Sequence, residues 1–493
     1  MTPRRVPAAL LTAVMLAPLA GCPAGEPVAS VPPPTAGPSS PRATVVVDAG
    51  RVLGPFNNPA RYHNQADHSL ALRPVQEQRV RALRPLVARA WINPRRYYDA
   101  ATGRYTWDYT SVSRNTAYQY LDQVARYATE MMVNVDQCHQ IFLTLSAPQV
   151  CRQVLKDGLR HYKQRYPTLR YVELFNEPDR TWKSDPGDPQ AMSVEHYYGW
   201  YRIGYEIVNE LNAELAPEIP LRIGGPVSYT FNEEYLREFL SRYAADGNPA
   251  KRLDFISYHQ YRAREKPAVV ADEKRTVQGW LIARRLPAET PVFVTEYGVF
   301  PGENTGTTFP DDLLTQAAAM ETLGYYYATG GMDMAMHWVF DHPTNERKSM
   351  FVDGAEDAVH PYYNMVAMQQ MLRARRVATT SDALSSDGLG VHALATDDSA
   401  GVAVLVTNYQ WITAGPAYTV SVRWADPPAV FAGRRVRVER YLVDRTTSNY
   451  AYDRARSDLQ RVERYELGDG AAEIPAFPLG RNAVTLLVLT PVG

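Results

Sequence analysis

Residues 171–178 read Tyr-Val-Glu-Leu-Phe-Asn-Glu-Pro. Tyr171–Phe175 is a short, mostly apolar run that stops at Asn176-Glu177-Pro178, the pattern of a buried strand emptying into a loop. Runs of the same texture lie on both sides of it, at Leu86–Ile92, Met131–Val135, Leu221–Gly224, Leu253–His259, Val292–Glu296 and Met332–Val339. A short first strand is placed near Arg61–Asn64. The centres of these runs are about 35 to 50 residues apart, the length of one βα unit. Amphipathic helical patterns fill the gaps, as at Tyr118–Glu130, Cys151–Tyr166, Tyr197–Glu214 and Asp311–Ala328. Eight such units make an α/β fold of the (β/α)8 TIM barrel type. The competing doubly wound sheet lacks a glycine-rich phosphate loop at the start of any helix.

Beyond residue 375 the texture changes. Gly401–Asn408, Tyr418–Trp424, Val436–Val443, Val462–Glu466 and Ala483–Leu489 are β-rich, with Gly, Pro and Asp between them. Residues 375–493 therefore read as a C-terminal β-sandwich and 44–374 as the barrel. Residues 44–58 contain a strand, Thr44–Asp48, that could join the sandwich instead.

The first 22 residues read as an address. Arg4 and Arg5 precede an apolar stretch, Ala8–Leu19, too short to span a bilayer. The stretch ends in Leu19-Ala20-Gly21-Cys22, which resembles the bacterial lipoprotein box. Residues 1–21 are then a lipoprotein signal peptide, Cys22 the lipidated residue, and 22–43 a Pro-, Ser- and Gly-rich tether. This predicts an exported protein anchored to the bacterial cell envelope through its N-terminal lipid only. Cys138 and Cys151 are the other two cysteines; in an exported chain they form a disulfide or stay as two separately buried thiols. No metal-ligand spacing accompanies them. The net charge of −1 exerts no pull toward nucleic acid. Arginines are abundant but scattered; solvated faces account for them, and an acidic sugar pocket is left open.

Two glutamates concentrate the chemistry. Glu177 follows the fourth barrel strand and Glu296 ends the seventh, in Val-Phe-Val-Thr-Glu-Tyr-Gly at 292–298. The carboxyl ends of barrel strands are where active sites are built, and strands three units apart face each other across the mouth. A carboxyl pair in one pocket points to glycoside hydrolysis. At a separation of about 5–5.5 Å one carboxylate is a nucleophile and the other an acid and then a base, with retention of configuration. Glu296 is assigned as nucleophile and Glu177 as acid/base, the acid's proton held by the neighbouring anion and by burial. Such chemistry needs no cofactor and no metal.

These motifs resemble retaining glycoside hydrolases of clan A, and more specifically glycoside hydrolase family 39, which includes β-xylosidases and α-L-iduronidases. The resemblance rests on Arg165–Asp179 (RYPTLRYVELFNEPD), Ile223-Gly224-Gly225-Pro226, Asp254–Tyr261 (DFISYHQY), Val404–Tyr409 and Tyr441–Tyr450. It implies that Glu177 is the acid/base and Glu296 the nucleophile. It implies that Asn176 bonds the sugar 2-hydroxyl, that His259 and Tyr261 line the subsite of cleavage, and that Arg89 supports the nucleophile. Three positions depart from the family pattern: Trp91, Phe175 and Tyr297 stand where His, Trp and Trp are usual. Trp338, ending strand eight, is a candidate floor for a pyranose. Trp91 and Trp182 are candidates for neighbouring subsites, and His337, Asp341 and His342 for substrate polar contacts. The expected partner is a carbohydrate, an oligo- or polysaccharide. The alternative is a surface lipoprotein that binds polysaccharide without cleaving it, which loss of either glutamate would have favoured.

Overall fold

Eight parallel strands close on themselves in this computed structural model, which describes residues 40–492 apart from 66–69, 112, 136–147, 181–191, 300–309, 343–345, 412–414 and 469–472. Cys22, Cys138 and Trp182 lie outside the described residues. The first strand, β1 (Arg42–Pro55), stands apart from the barrel. The barrel strands follow as β2 (Tyr62–Asn64), β3 (Val87–Ile92), β4 (Glu130–Val135), β5 (Leu169–Leu174), β6 (Arg222–Ser228), β7 (Phe255–Gln260), β8 (Val292–Tyr297) and β9 (Met334–His337). A helix follows each in turn: α1 (Pro74–Ala82), α2 (Ala117–Tyr127), α3 (Pro148–Arg165), α4 (Val194–Leu215), α5 (Glu233–Ala245), α6 (Glu273–Ala283), α7 (Pro310–Thr329) and α8 (Pro361–Gln369). The ring closes where His337 of β9 pairs with His63 of β2. Helix starts are set by side chains that take up the first free N–H groups. Thr116 accepts from Gln119 ahead of α2, Ser193 from His196 ahead of α4, and Asn232 from Tyr235 ahead of α5. No described helix is long and apolar enough to cross a membrane.

Strand alternation sorts the barrel interior into layers. Tyr62, Val87, Met132, Tyr171, Phe255 and Phe293 belong to one buried apolar cluster with Met334 and Met336. Two residues further along each strand stand Asn64, Arg89, Asn134, Glu173, Ser257 and Thr295, all fully buried. A third layer, two residues on again, begins with Trp91 on β3 and His259 at the end of β7. The barrel is therefore greasy at its base, polar at its waist and open to chemistry at its mouth.

Eight further strands follow α8: β10 (Arg375–Ser381), β11 (Gly390–Asp398), β12 (Gly401–Tyr409), β13 (Tyr418–Asp426), β14 (Arg435–Val443), β15 (Gln460–Leu467), β16 (Glu473–Leu479) and β17 (Val484–Val492). With β1 they form one nine-stranded sheet in the order β15-β14-β17-β12-β11-β10-β1-β13-β16. Val422 and Phe477 from one end of that order share a core with Val438 and Leu487 from the other, so the sheet folds over on itself as a sandwich. Strand β1 runs antiparallel to β10 and parallel to β13, so the strand expected at Thr44–Asp48 joins the sandwich and continues to Pro55. Strands β11 and β12 are buried on both faces; Leu394, Leu405 and Tyr409 on their outer side belong to the barrel's own core cluster. His392 pairs with Glu321 of α7 at 2.7 Å and the Tyr409 hydroxyl donates to the Arg264 carbonyl at 2.6 Å, polar ties across the same contact.

Candidate active site

Two local departures from regular strand geometry aim the glutamates into the mouth. On β8, Phe293 and Thr295 face the interior, so simple alternation would send Glu296 outward. The register against β7 shifts between Val294 and Glu296 and that against β9 between Val294 and Tyr297, a bulge that turns Glu296 inward as well. The Thr295 carbonyl beside it accepts from the Asn64 amide at 3.0 Å, and the same amide reaches the His337 carbonyl at 3.2 Å. After β5 the device is backbone handedness. Phe175 and Glu177 both have positive φ, 66° and 49°. For residues with a Cβ this conformation costs about 1–3 kcal/mol each and persists where surroundings over-determine it. Here the Phe175 N–H donates to Val135, its carbonyl accepts from the Asn134 amide at 2.8 Å, and the Glu177 N–H donates to Val227. The Phe175 ring is thrown outward against Tyr197 and Trp200, leaving Asn176 and Glu177 at the mouth.

Arg89 joins these pieces. It has no solvent exposure, and it donates to Glu173 (2.8 Å), Glu296 (2.6 Å), Asn64 (3.2 Å) and Asn176 (3.0 Å). Glu296 is thus gripped at Oε1 by Arg89 and at Oε2 by the Tyr261 hydroxyl, 2.6 Å away. Gly298 makes room for that tyrosine, since a Cβ there would lie 2.8 Å from the ring. His259 Nδ1 bridges the two acids, 2.8 Å from Glu177 Oε1 and 3.4 Å from Glu296 Oε2. One oxygen of each carboxylate and the ring nitrogen all lie within 4.8 Å of one another. That span would also suit a single cation, although Arg89 already supplies positive charge to Glu296.

Burial raises Glu177 to about 8, with Asp179 adding to the effect and Arg180 and Arg89 opposing it. Desolvation, more than the repulsion between the two acids expected from sequence, is the leading cause. Burial also raises Glu296, but the Arg89 guanidinium and the Tyr261 hydroxyl pull it back. His259 is lowered to about 4 by burial, so its ring is neutral near neutral pH.

The remaining candidates sort clearly. Trp338 packs edge-on against Trp91 at 5.4 Å, and with Tyr261, Val339 and Tyr229 they form an aromatic cluster beside the glutamates. The Arg89 guanidinium lies 4.7 Å from the Trp91 ring. His337 is not a substrate contact: its two ring nitrogens are taken by the Tyr297 hydroxyl at 3.0 Å and the Tyr362 hydroxyl at 2.9 Å, on the outer side of the barrel. Phe175 and Tyr297 also face outward, so of the three departures from the family pattern only Trp91 reaches the mouth. His342 and Asp341 are buried around Ser349. Cys151 is a buried free thiol, pushed up to about 12 by desolvation. Sequence reasoning passed over Asn64, Asn134, Glu173, Arg180 and Tyr229. For the first three the signal was available, a polar residue at an inward position of a barrel strand.

A closed (β/α)8 barrel with a β-sandwich, presenting two buried glutamates from the ends of its fourth and seventh strands, is the class that fold and site define. No protein-family model and no curated protein matches the chain. Solved structures do share its fold. A glucosidase from Croceicoccus marinus aligns with a TM-score of 0.63 at 16% identity, covering 92% of this chain and 100% of that one. The GH39 enzyme from Xanthomonas axonopodis pv. citri gives 0.63 at 16%, covering 94% and 100%. A monomeric β-xylosidase from Caulobacter crescentus gives 0.63 at 14%, covering 91% and 100%. The solved relatives of this fold thus include the family that the sequence motifs resemble.

Proposed function

We propose that the chain is a retaining glycoside hydrolase acting on an O-glycosidic bond by double displacement. The observation that supports it most is the meeting of two buried glutamates around His259, one gripped by Arg89 and Tyr261, the other held protonated by burial up to a pH of about 8. The fold shared with solved glycosidases adds to it. In the first step a Glu296 oxygen attacks the anomeric carbon while Glu177 gives its proton to the departing oxygen. The ester that forms leaves Glu296 uncharged, so the negative charge of the pair passes to Glu177. Glu177, now a carboxylate, takes a proton from water, which attacks the anomeric carbon and frees Glu296. His259 Nε2 and Trp338 Nε1 are buried polar atoms without a protein partner among the described residues. Sugar hydroxyls would satisfy them.

The substrate follows from the sequence: if Cys22 is lipidated, the barrel faces glycans of the cell surface or its surroundings. The test is a screen against aryl glycosides and bacterial exopolysaccharides, with Glu296→Gln as the blank and NMR reading the first-formed anomer. Turnover lost in Glu296→Gln, with retained configuration, is the expected result. Inversion, or full activity in that variant, ends the assignment, and binding without any cleavage favours a polysaccharide-binding surface protein. Labelling with a fatty-acid analogue, lost in Cys22→Ala, tests the anchor.

A further inference from the structure

One side of the mouth gathers positive charge beside the acid. Arg180 approaches Glu177 Oε2 at 3.4 Å, on the other carboxylate oxygen from the one that faces His259. Its guanidinium carbon lies 4.1 Å from the centroid of the Tyr229 ring, and that of Arg262 lies 5.5 Å from the same centroid. Arg180 follows β5, Tyr229 follows β6 and Arg262 follows β7, so three successive strands bring two cations to one ring. The ring is fixed. The Tyr229 N–H donates to Asp179 Oδ1 at 2.8 Å, the Asn232 amide holds Asp179 Oδ2 at 2.9 Å, and Tyr261 stacks at 6.4 Å.

The other charged groups around this face are committed. Asp179 is occupied by the two donors just named, Glu296 is paired with Arg89, and His259 is neutral. Glu177 is neutral when it is ready to act as an acid. Arg262 is exposed and pairs with no acidic side chain among the described residues. Two guanidinium groups gathered on one ring repel each other, and an oxyanion bonded to them would offset that repulsion.

We propose that Arg180, Arg262 and Tyr229 form a subsite for an anionic group of the saccharide on the leaving-group side of the scissile bond. This rests on the glycosidase reading, because Glu177 marks the leaving-group side by being the acid. The ligand chemistry is an oxyanion on a sugar, whether a uronate carboxylate, a sulfate or a phosphate ester, which an arginine fork matches with paired donors. Arrival of the anion engages Arg180 and loosens its hold on Glu177, so the acid loses its cationic neighbour as the leaving group binds.

The experiment is isothermal titration of the full chain carrying Glu296→Gln. The probes are neutral, uronate-bearing, sulfated and phosphorylated oligosaccharides of matched length, with inorganic sulfate and phosphate alone beside them. One anionic saccharide is expected to bind roughly tenfold more tightly than its neutral counterpart, as for hydrogen bonds to a charged group. The advantage should shrink with added salt and be lost in Arg180→Gln and in Arg262→Gln. It should be partly kept in the corresponding lysine variants, and thermal melting reports whether each variant is folded. Which saccharide gains identifies the oxyanion. Equal or absent binding of neutral and anionic saccharides overturns the proposal, as does a preference that survives both glutamine substitutions or is matched by the inorganic ions alone. If neutral glycosides are cleaved in a Glu296-dependent way with no anionic preference, this inference fails and the glycosidase reading stands. If no glycoside is cleaved while the Arg-dependent preference remains, the glycosidase reading fails and the leaving-group placement falls with it.

Discussion

Arg89 Nη1 lies 2.6 Å from Glu296 Oε1 while Nε of the same side chain lies 2.8 Å from Glu173 Oε2, so one fully buried cation is shared between two buried carboxylates. Removing one partner of such a cluster is costly because the remaining charges stay buried. Arg89→Met should destabilise the fold by about 3–5 kcal/mol in urea denaturation. Pairing it with Glu173→Met should recover a substantial part of the loss without restoring turnover. If Arg89→Met melts like the parent, the cluster does not hold the barrel waist.

In the proposed mechanism the pH dependence of turnover follows from Glu177. The acid must be protonated, and burial holds it so up to about 8, so kcat/KM for a glycoside with a poor leaving group should fall as pH rises through that value. Arg180 favours the ionised form, so Arg180→Gln should move this alkaline limb upward. A limb that stays in place or moves down contradicts the role assigned to Arg180.

Stability should respond to the same group with a definite sign. The folded pKa of Glu177 lies above its ordinary value, so its contribution is fully present below about 4.5 and is lost as pH rises through about 8. Glu177→Gln removes the ionisable group at nearly constant shape. It should raise the melting temperature at pH 9 by roughly 2–4 °C while changing it little at pH 5. Equal effects at both pH values would show that ionisation is not the cause.

Gly298→Ala tests how closely the partner of the proposed nucleophile must be placed. The added methyl meets the Tyr261 ring at 2.8 Å and forces the hydroxyl away from Glu296. Turnover should fall roughly 10- to 100-fold, the cost of a small misplacement at a reacting centre. The circular dichroism spectrum should be unchanged, and unaltered activity would mean Tyr261 does not position Glu296.

Strand β1 lies inside the sandwich, between β10 and β13. A fragment starting at residue 56 would leave two apolar strand edges unpaired and should aggregate or melt non-cooperatively, whereas one starting at residue 40 should fold. Cooperative unfolding of the shorter fragment by calorimetry would refute this.

Barrel strands were legible from sequence because they are buried on both faces, so apolar residues dominate them, as at Val87–Ile92 and Val292–Tyr297. Three strands of the sandwich were not. Arg375–Ser381 is largely polar, Gly390–Asp398 carries His392 and Thr396 in a buried setting, and Glu473–Leu479 holds two prolines that only an edge strand tolerates. Each takes its partners from segments distant in the chain.

The sequence by itself determined that there is a barrel, that Glu177 and Glu296 sit at the ends of its fourth and seventh strands, and that aromatic residues surround them, because periodicity and strand-end position are local properties. Tertiary structure alone decided which way the side chains face. The bulge before Glu296 and the left-handed backbone at Phe175 and Glu177 break the alternation that a sequence pattern assumes, turning Glu296 in and Phe175 out. The placement of Arg180 and Arg262 on one tyrosine ring likewise required three separate loops to converge. Pairing of this kind depends on distances through space, and a linear order of residues does not encode them.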